Sequence, residues 1–344
     1  MRDLSIRLDW PGKERTQESA PLEPLVPVTA GDPRSVLIRG DNRAALCALA
    51  ARGATSVTLA YMDPPFLTGR RHDLVTRRRD PESGRLVRTK TPAFDDRWEG
   101  LDTYLAALYP RIVAARELLA PHGCLVLHVD SKTSHYAKVL CDEIFGPRAF
   151  ASEIIWRYRR WPSKTPNFQR VHDVLLRYVK DPRVRPRFRQ LYEPLAASTL
   201  ATWGTGKQRA IVGDDGRRAR SSTLASETPG APLGDVWEIG IVAPVSRERT
   251  GYPTQKPEPL LERLVEACTD PGDLVLDPYL GSGTTAAVCA RLGRRFVGVD
   301  ENPEAVAISR DRLSALGVTP AEERVGGVPG VRSTRRKAPK TVAA

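Results

Sequence analysis

The sequence predicts an α/β protein built on a mostly parallel sheet, and three observations carry that prediction. Short apolar runs alternate with helical periodicity from Ser35 onward; Leu274 to Thr285 reads as a strand, a glycine turn and a helix start; and Asp63-Pro64-Pro65-Phe66 stands where the apolar run Val57 to Met62 ends. Strand ends are where open α/β sheets keep their ligands and their chemistry.

Taken in order, residues 1–34 are rich in proline and charge without periodicity, and read as an N-terminal extension or a packed arm with little regular structure. The catalytic grammar begins at residue 35 and runs to 182. It holds a strand at Val36 to Arg39, a helix at Ala44 to Ala51 closed by Gly53, and the strand Val57 to Met62. A helix follows at Tyr104 to Leu119, then a Pro121-His122-Gly123 turn, a strand at Cys124 to Val129, a helix around Tyr136 to Phe145, and apolar runs at Ile154 to Trp156 and Val174 to Val179. Residues 183–234 mix Arg, Ser, Thr, Gly and Pro with weak periodicity and read as an insert. The α/β pattern returns over 235–317 with a helix Pro259 to Cys268, a strand Leu274 to Tyr279, a helix Thr284 to Leu292, a strand Phe296 to Asp300 and a helix Pro303 to Leu316. Residues 318–344 read as a basic, disordered tail carrying Arg332, Arg335, Arg336, Lys337 and Lys340.

Of 344 residues, 41% are hydrophobic and 27% charged, a globular balance with enough chain for about two domains. The excess of 53 Lys+Arg over 41 Asp+Glu gives +12 and favours a polyanionic partner. No apolar run approaches the ~18 residues of a membrane span, and Met1 to Glu14 has no apolar leader segment, so a cytoplasmic protein without a membrane partner is expected. Five isolated cysteines without a Cys-x-x-Cys pair argue against a disulfide framework or zinc, and no metal site is expected.

Two constellations carry chemistry. In the first, the glycines of Asp277-Pro278-Tyr279-Leu280-Gly281-Ser282-Gly283-Thr284-Thr285 let the backbone approach a ligand, and Asp300, ending the next strand, has the place of an acceptor for ribose hydroxyls. An adenosine-containing cofactor fits, although Gly281 and Gly283 also fit a plain tight strand-to-helix turn. Ala286 stands where a dinucleotide fold has its third glycine, and Asp277 would repel a pyrophosphate, so a zwitterionic or cationic ligand suits the site better than NAD. In the second, Asp63 and the Pro64 carbonyl can accept both hydrogens of an exocyclic amine. Pro64-Pro65 stiffens the backbone, and Phe66 offers a stacking face for a flipped base. A proline-rich loop capped by a buried Phe is the plainer reading of those four residues.

Together, and in this order, the two motifs resemble the S-adenosylmethionine-dependent DNA amino-methyltransferases of the β, circularly permuted, class. Further segments are similar to the same family: Ile38-Arg39-Gly40-Asp41-Asn42, Leu127-His128-Val129-Asp130 and Arg249-Thr250-Gly251-Tyr252-Pro253-Thr254-Gln255-Lys256-Pro257. The resemblance implies a Rossmann-like methyltransferase fold with a permuted, mostly parallel seven-stranded sheet, S-adenosyl-L-methionine as cofactor and double-stranded DNA as partner. It assigns catalysis to Asp63, Pro64, Pro65 and Phe66. Asp277, Pro278, Gly281, Gly283, Thr284 and Thr285 would hold the methionine part, Asp300 the ribose, Asp41 the adenine amine, and Thr254, Gln255 and Lys256 the methionine carboxylate. Adenine N6 is the favoured target and cytosine N4 the alternative, because Phe66 stands where many adenine-modifying relatives carry Tyr. Tyr279-Leu280 replaces the commoner Phe and small residue.

Basic residues after the catalytic motif (Arg70, Arg71, Arg78) read as a loop closing over DNA phosphates. A second group (Arg157, Arg159, Arg160, Lys164), interleaved with aromatics, reads as backbone or groove contacts. For any single Arg a solvated surface is an equal reading. Residues 183–234, least like the family, are the expected target-recognition region, short enough for a short site or for a homodimer reading a symmetric one. A restriction endonuclease partner fits the same picture. RNA, a protein glutamine amide, or a non-enzymatic DNA-binding role are the weaker alternatives.

Overall fold

The computed structural model describes residues 7–16, 22–79, 85–162, 164, 166–205, 210–212, 216–220 and 228–326. The chain begins with a short helix, α1 (Lys13–Thr16), the edge strand β1 (Leu25–Thr29) and β2 (Asp32–Arg39), then α2 (Asn42–Ala51), capped by Asp41, whose carboxylate accepts from the Ala44 N–H at 2.9 Å. Next come β3 (Val57–Met62), the hairpin β4 (Arg70–Arg79) and β5 (Leu86–Asp96), α3 (Leu101–Leu118), β6 (Leu119–Asp130), α4 (Ser134–Phe145), β7 (Phe150–Arg157) and β8 (His172–Val179). The insert holds β9 (Tyr192–Glu193), α5 (Ala197–Trp203), β10 (Ala210–Val212), β11 (Arg218–Arg220) and β12 (Ala231–Pro232). After it follow β13 (Val236–Glu238), α6 (Glu258–Cys268), β14 (Leu274–Asp277), α7 (Thr284–Arg291), β15 (Arg295–Asp300), α8 (Pro303–Ser314) and β16 (Pro320–Val325).

One sheet orders these strands β1-β16-β2-β15-β14-β3-β6-β8-β7-β13. Strands β16, β2, β15, β14, β3 and β6 are mutually parallel, and β8 runs antiparallel between β6 and β7. The central β3 is buried at every residue, and its side chains alternate. Ala60 and Met62 pack with the layer that includes α3 and α4, while Leu59 and Tyr61 pack with the layer that includes α6 and α7. Because β2, which follows β15 in the sheet, precedes it in sequence, the strand order is circularly permuted as the resemblance implied.

Several expectations need correction. The sheet has ten strands: the expected seven are extended by β1 and β16 at one edge and β13 at the other. The N-terminal stretch packs as an arm, with Trp10 buried against Tyr109 (6.2 Å between rings) and Lys13 paired with Glu143, but it has more regular structure than expected, since β1 closes the sheet on β16. Residues 320–325 of the expected tail are that strand, while the remainder, 327–344, lies outside the described residues. Pro121-His122-Gly123 is no turn between elements. It sits within β6, where the register with β3 shifts between Val57 and Leu59 and absorbs the extra residues as a bulge. The basic segment after Asp63 is a hairpin and not a loop: β4 and β5 pair from Arg70↔Asp96 to Arg79↔Leu86. Asn302 Nδ2 donates to the Ala93 carbonyl (2.9 Å), and Leu74 and Ala93 pack with Tyr252 and Ala305, seating the hairpin over the end of β15. Among the described residues no helix is long and apolar enough to cross a membrane, and Cys124, Cys141, Cys268 and Cys289 are buried free thiols.

Candidate active site

The parallel strands β2, β3, β14 and β15 end at one edge of the sheet, and their first following residues face a single cleft of about 300 Å³. Asp41 stands just past β2, Asp63 to Phe66 follow β3, Asp277 ends β14 and Asp300 ends β15. Of the residues expected to act in catalysis or cofactor binding, all line this cleft except Gly283. Gly283 instead makes the turn possible. Its φ is +72°, and a Cβ there would lie 2.5 Å from Ser309 Oγ, so a close helix approach leaves room only for hydrogen.

On the cofactor side, two buried carboxylates meet the glycine turn. Asp300 accepts from the Gly281 N–H at 2.8 Å and the Asn302 N–H at 2.9 Å, and Asp277 accepts from the Tyr279 N–H at 2.9 Å. Burial pushes Asp277 up to about 7, with the charges of Asp63 and Asp300 adding to it, against the hydrogen bonds of Thr285 and Tyr279. Burial pushes Asp300 up to about 6 in the same way, helped by Glu301. Neither makes an ion pair with a described residue. Two buried acids without a cation, beside backbone N–H groups and a left-handed Gly281 (φ +52°), suit a ligand that brings positive charge and hydroxyl donors. The residues thus fit S-adenosyl-L-methionine.

Asp41 lies across the cleft, paired with Arg111 at 2.8 Å, and Asn42 Nδ2 donates to the Pro278 carbonyl at 2.9 Å, locking the end of β2 to the turn after β14. Thr254 has φ +57°, and the Gln255 side chain is taken up inside its own loop, accepting from the Thr250 N–H at 2.9 Å and donating to the Glu248 carbonyl at 2.6 Å. The Lys256 ammonium, in the same cleft, pairs with Asp63 Oδ2 and lies 4.9 Å over the Phe66 ring.

The other Asp63 oxygen, Oδ1, is buried, has no hydrogen-bond partner among the described residues and lies 3.8 Å from His128 Nδ1. Behind it runs a buried polar chain. Tyr61 Oη is 2.8 Å from His128 Nδ1, His128 Nε2 is 3.5 Å from Asp173, and Tyr158 Oη donates to Asp173 at 3.0 Å. Burial pushes Asp173 up, but His128, Lys256 and the Tyr158 hydroxyl together outweigh it and hold the acid below its ordinary value. Tyr61, pushed up by burial and by Asp63, Asp277 and Asp173, stays a neutral hydroxyl. The Phe66 ring packs 5.4 Å from His128. Asp96, at the end of β5, holds the loop after the motif: it accepts from the Leu67 N–H (2.8 Å), the Thr68 N–H (3.0 Å) and Trp98 Nε1 (3.1 Å), fixing Leu67 at φ +58°.

Sequence reasoning did not single out His128, Asp173, Tyr61 or Asp96 as site residues. His128 and Tyr61 lie inside segments singled out for other residues, Leu127 to Asp130 and the strand running into Asp63; Asp173 and Asp96 are lone polar residues with no local signal. Among the expected DNA contacts, Arg70, Arg71, Arg157, Arg159, Arg160 and Lys164 are exposed, Arg157 pairs with Glu238, and the Arg78 side chain lies outside the described residues.

A family model described as DNA methylase, of the N6/N4 methyltransferase type, matches residues 57–311. The chain is similar to DNA adenine methyltransferase YhdJ of Escherichia coli K12, with 28% identity over 86% of this chain and 88% of the relative. It is similar to Type II methyltransferase M.HpaI of Haemophilus parainfluenzae, with 30% identity over 62% of this chain and 60% of the relative. In fold it resembles a putative DNA modification methylase of Thermus thermophilus complexed with S-adenosyl-L-methionine (TM-score 0.51, 20% identity, 86% of this chain and 99% of that one). It also resembles the cytosine-N4-specific PvuII DNA methyltransferase (TM-score 0.51, 18% identity, 83% and 88%).

Proposed function

The chain belongs to the N6/N4 DNA methylase family, and from that premise we propose that it methylates the exocyclic amine of a base turned out of duplex DNA, adenine N6 ahead of cytosine N4. The observation that carries the proposal is Asp63, with one oxygen on Lys256 and the other without a hydrogen bond among the described residues, in the same cleft as the glycine turn and its two acids.

S-adenosyl-L-methionine, when bound, supplies an electrophilic methyl group on a sulfonium. The chain's own residues do the rest. Asp63 accepts a hydrogen bond from the base amine and the Pro64 carbonyl takes the second, drawing the nitrogen lone pair out of the ring and toward the cleft. Phe66 stacks on the base. As the nitrogen gains positive charge, Asp63 lies beside it and Asp173 stands behind His128, so negative charge is in place before it is needed. Lys256 pairs with Asp63 and restrains its carboxylate. Asp277 and Asp300 receive the positive charge and ribose hydroxyls of the cofactor, with Asp41 at its adenine end.

The name of the Escherichia coli relative supports adenine; Phe66 and the cytosine-N4-specific neighbour in fold keep cytosine N4 as the second reading. The Type II name of the other relative supports a cognate restriction endonuclease. Residues 183–234 are assigned to target recognition, by one copy on a short site or by two on a symmetric one.

Incubation with tritiated S-adenosylmethionine and unmethylated duplex DNA, followed by nucleoside analysis, is expected to give N6-methyladenine. N4-methylcytosine would move the target, and an unlabelled duplex would overturn the proposal. Asp63→Ala should abolish turnover and spare cofactor binding; an active Asp63→Ala protein refutes the assigned role.

A further inference from the structure

Two large aromatic side chains stand almost wholly in water: Trp161 is 90% exposed and Phe168 96%. Both lie on the connection from β7 to β8, and a cross-loop bond from Gln169 Nε2 to the Trp161 carbonyl (2.9 Å) joins its two limbs. Exposed aromatics grouped on one loop mark a surface made to be covered.

Its position and charge say by what. Strand β7 is antiparallel to β8, which is antiparallel to β6, so β7 ends at the same sheet edge as β3 and its Asp63. The loop is rooted on the catalytic chain itself. Arg160 donates to Tyr158 Oη at 3.1 Å, Tyr158 bonds Asp173, and Asp173 faces His128 beside Asp63. Between Tyr158 and Val171 the sequence has Arg159, Arg160, Lys164 and Arg170 and no acidic residue. Cations suit phosphates, and flat aromatic faces suit bases.

We propose that this loop is a wedge that enters duplex DNA beside the target base, with Trp161 and Phe168 filling the stacking position the base vacates and the cations gripping the flanking phosphates. The proposal rests on the reading of a flipped base in duplex DNA and adds the element that holds the duplex open. An apolar wedge offsets unstacking, which is least costly where the target base is already unpaired.

The test uses a short duplex built around a site mapped on plasmid DNA methylated by the wild-type protein, and the same duplex with an abasic position opposite the target base. The Trp161→Ala/Phe168→Ala double variant should lose about tenfold or more in kcat/KM on the paired duplex and less than about threefold on the abasic one. Its affinity for S-adenosylmethionine, which also reports folding, should be unchanged. Equal losses on both duplexes would make the loop a plain groove or backbone contact, and no loss would make it a surface for another protein; either overturns the wedge. Wild-type protein that methylates neither duplex overturns the flipped-base reading itself, and the wedge falls with it.

Discussion

Cofactor binding should release protons, because the two acids of the glycine turn are held partly neutral by burial and a cationic, hydroxyl-rich ligand wants both ionised. With Asp277 at about 7 and Asp300 at about 6, the free protein near pH 6 holds one proton on most Asp277 side chains and on half of Asp300. Binding there must expel about 1.4 protons, against about 0.1 near pH 8, and the apparent Kd for S-adenosylmethionine should rise about 20-fold between those two pH values as the pH is lowered. The sign is fixed: affinity is full above the raised values and is lost as pH falls through them. Titration calorimetry in two buffers of different ionisation heat gives both the Kd and the proton count. Asp277→Asn should weaken binding near pH 8 and leave only about a twofold pH effect, that of Asp300. His72 also lines the cleft, so His72→Gln is the control and should keep the full slope. A Kd that changes less than about threefold, or an Asp277→Asn protein with the wild-type slope, refutes the assignment of the cofactor's positive charge to these acids.

Asp96→Ala leaves four donors without their acceptor (Leu67 N–H, Thr68 N–H, Thr68 Oγ1 and Trp98 Nε1), which should cost about 3 kcal/mol or more and slow single-turnover methylation. Cofactor affinity should move less than turnover; an unchanged melting temperature and rate would show that Asp96 does not hold the loop. Gly283→Ala places a methyl group 2.5 Å from Ser309 Oγ and 3.1 Å from its Cα at φ +72°, for a loss of about 3 kcal/mol. Thermal unfolding without cofactor measures that loss, and a wild-type Tm would mean that α8 moves aside freely.

The sheet was largely legible because its strands are short apolar runs set off by glycine, proline and capping residues. Val57 to Met62, buried on both faces, and Leu274 to Asp277 could hardly be anything else. The hairpin β4/β5 is not legible in the sequence because, dense in arginine and threonine, it lacks the apolar alternation of a half-buried strand; few of its described side chains, Leu74 and Ala93 among them, are buried. The edge strands β1 and β16 pair residues near the two ends of the described chain, so neither carries a signal by itself. Pro121 to Gly123 has turn chemistry in every local respect, and the register shift against β3 is what carries it inside a strand.

The chain's own order of residues determined which chemistry stands at which strand end: an acid and two prolines after one buried run, a glycine turn between two acids after another. Those signals are local, since the backbone geometry of a turn and the placing of a residue just past a strand are decided within a few positions. Only the tertiary structure decided that Lys256 pairs with Asp63 across 193 residues, that His128 and Asp173 stand behind it, and that Asp277 and Asp300 share one cleft. The physical reason is that a charge's partner and its desolvation are set by strand order and burial, and neither exists until the sheet has closed around it.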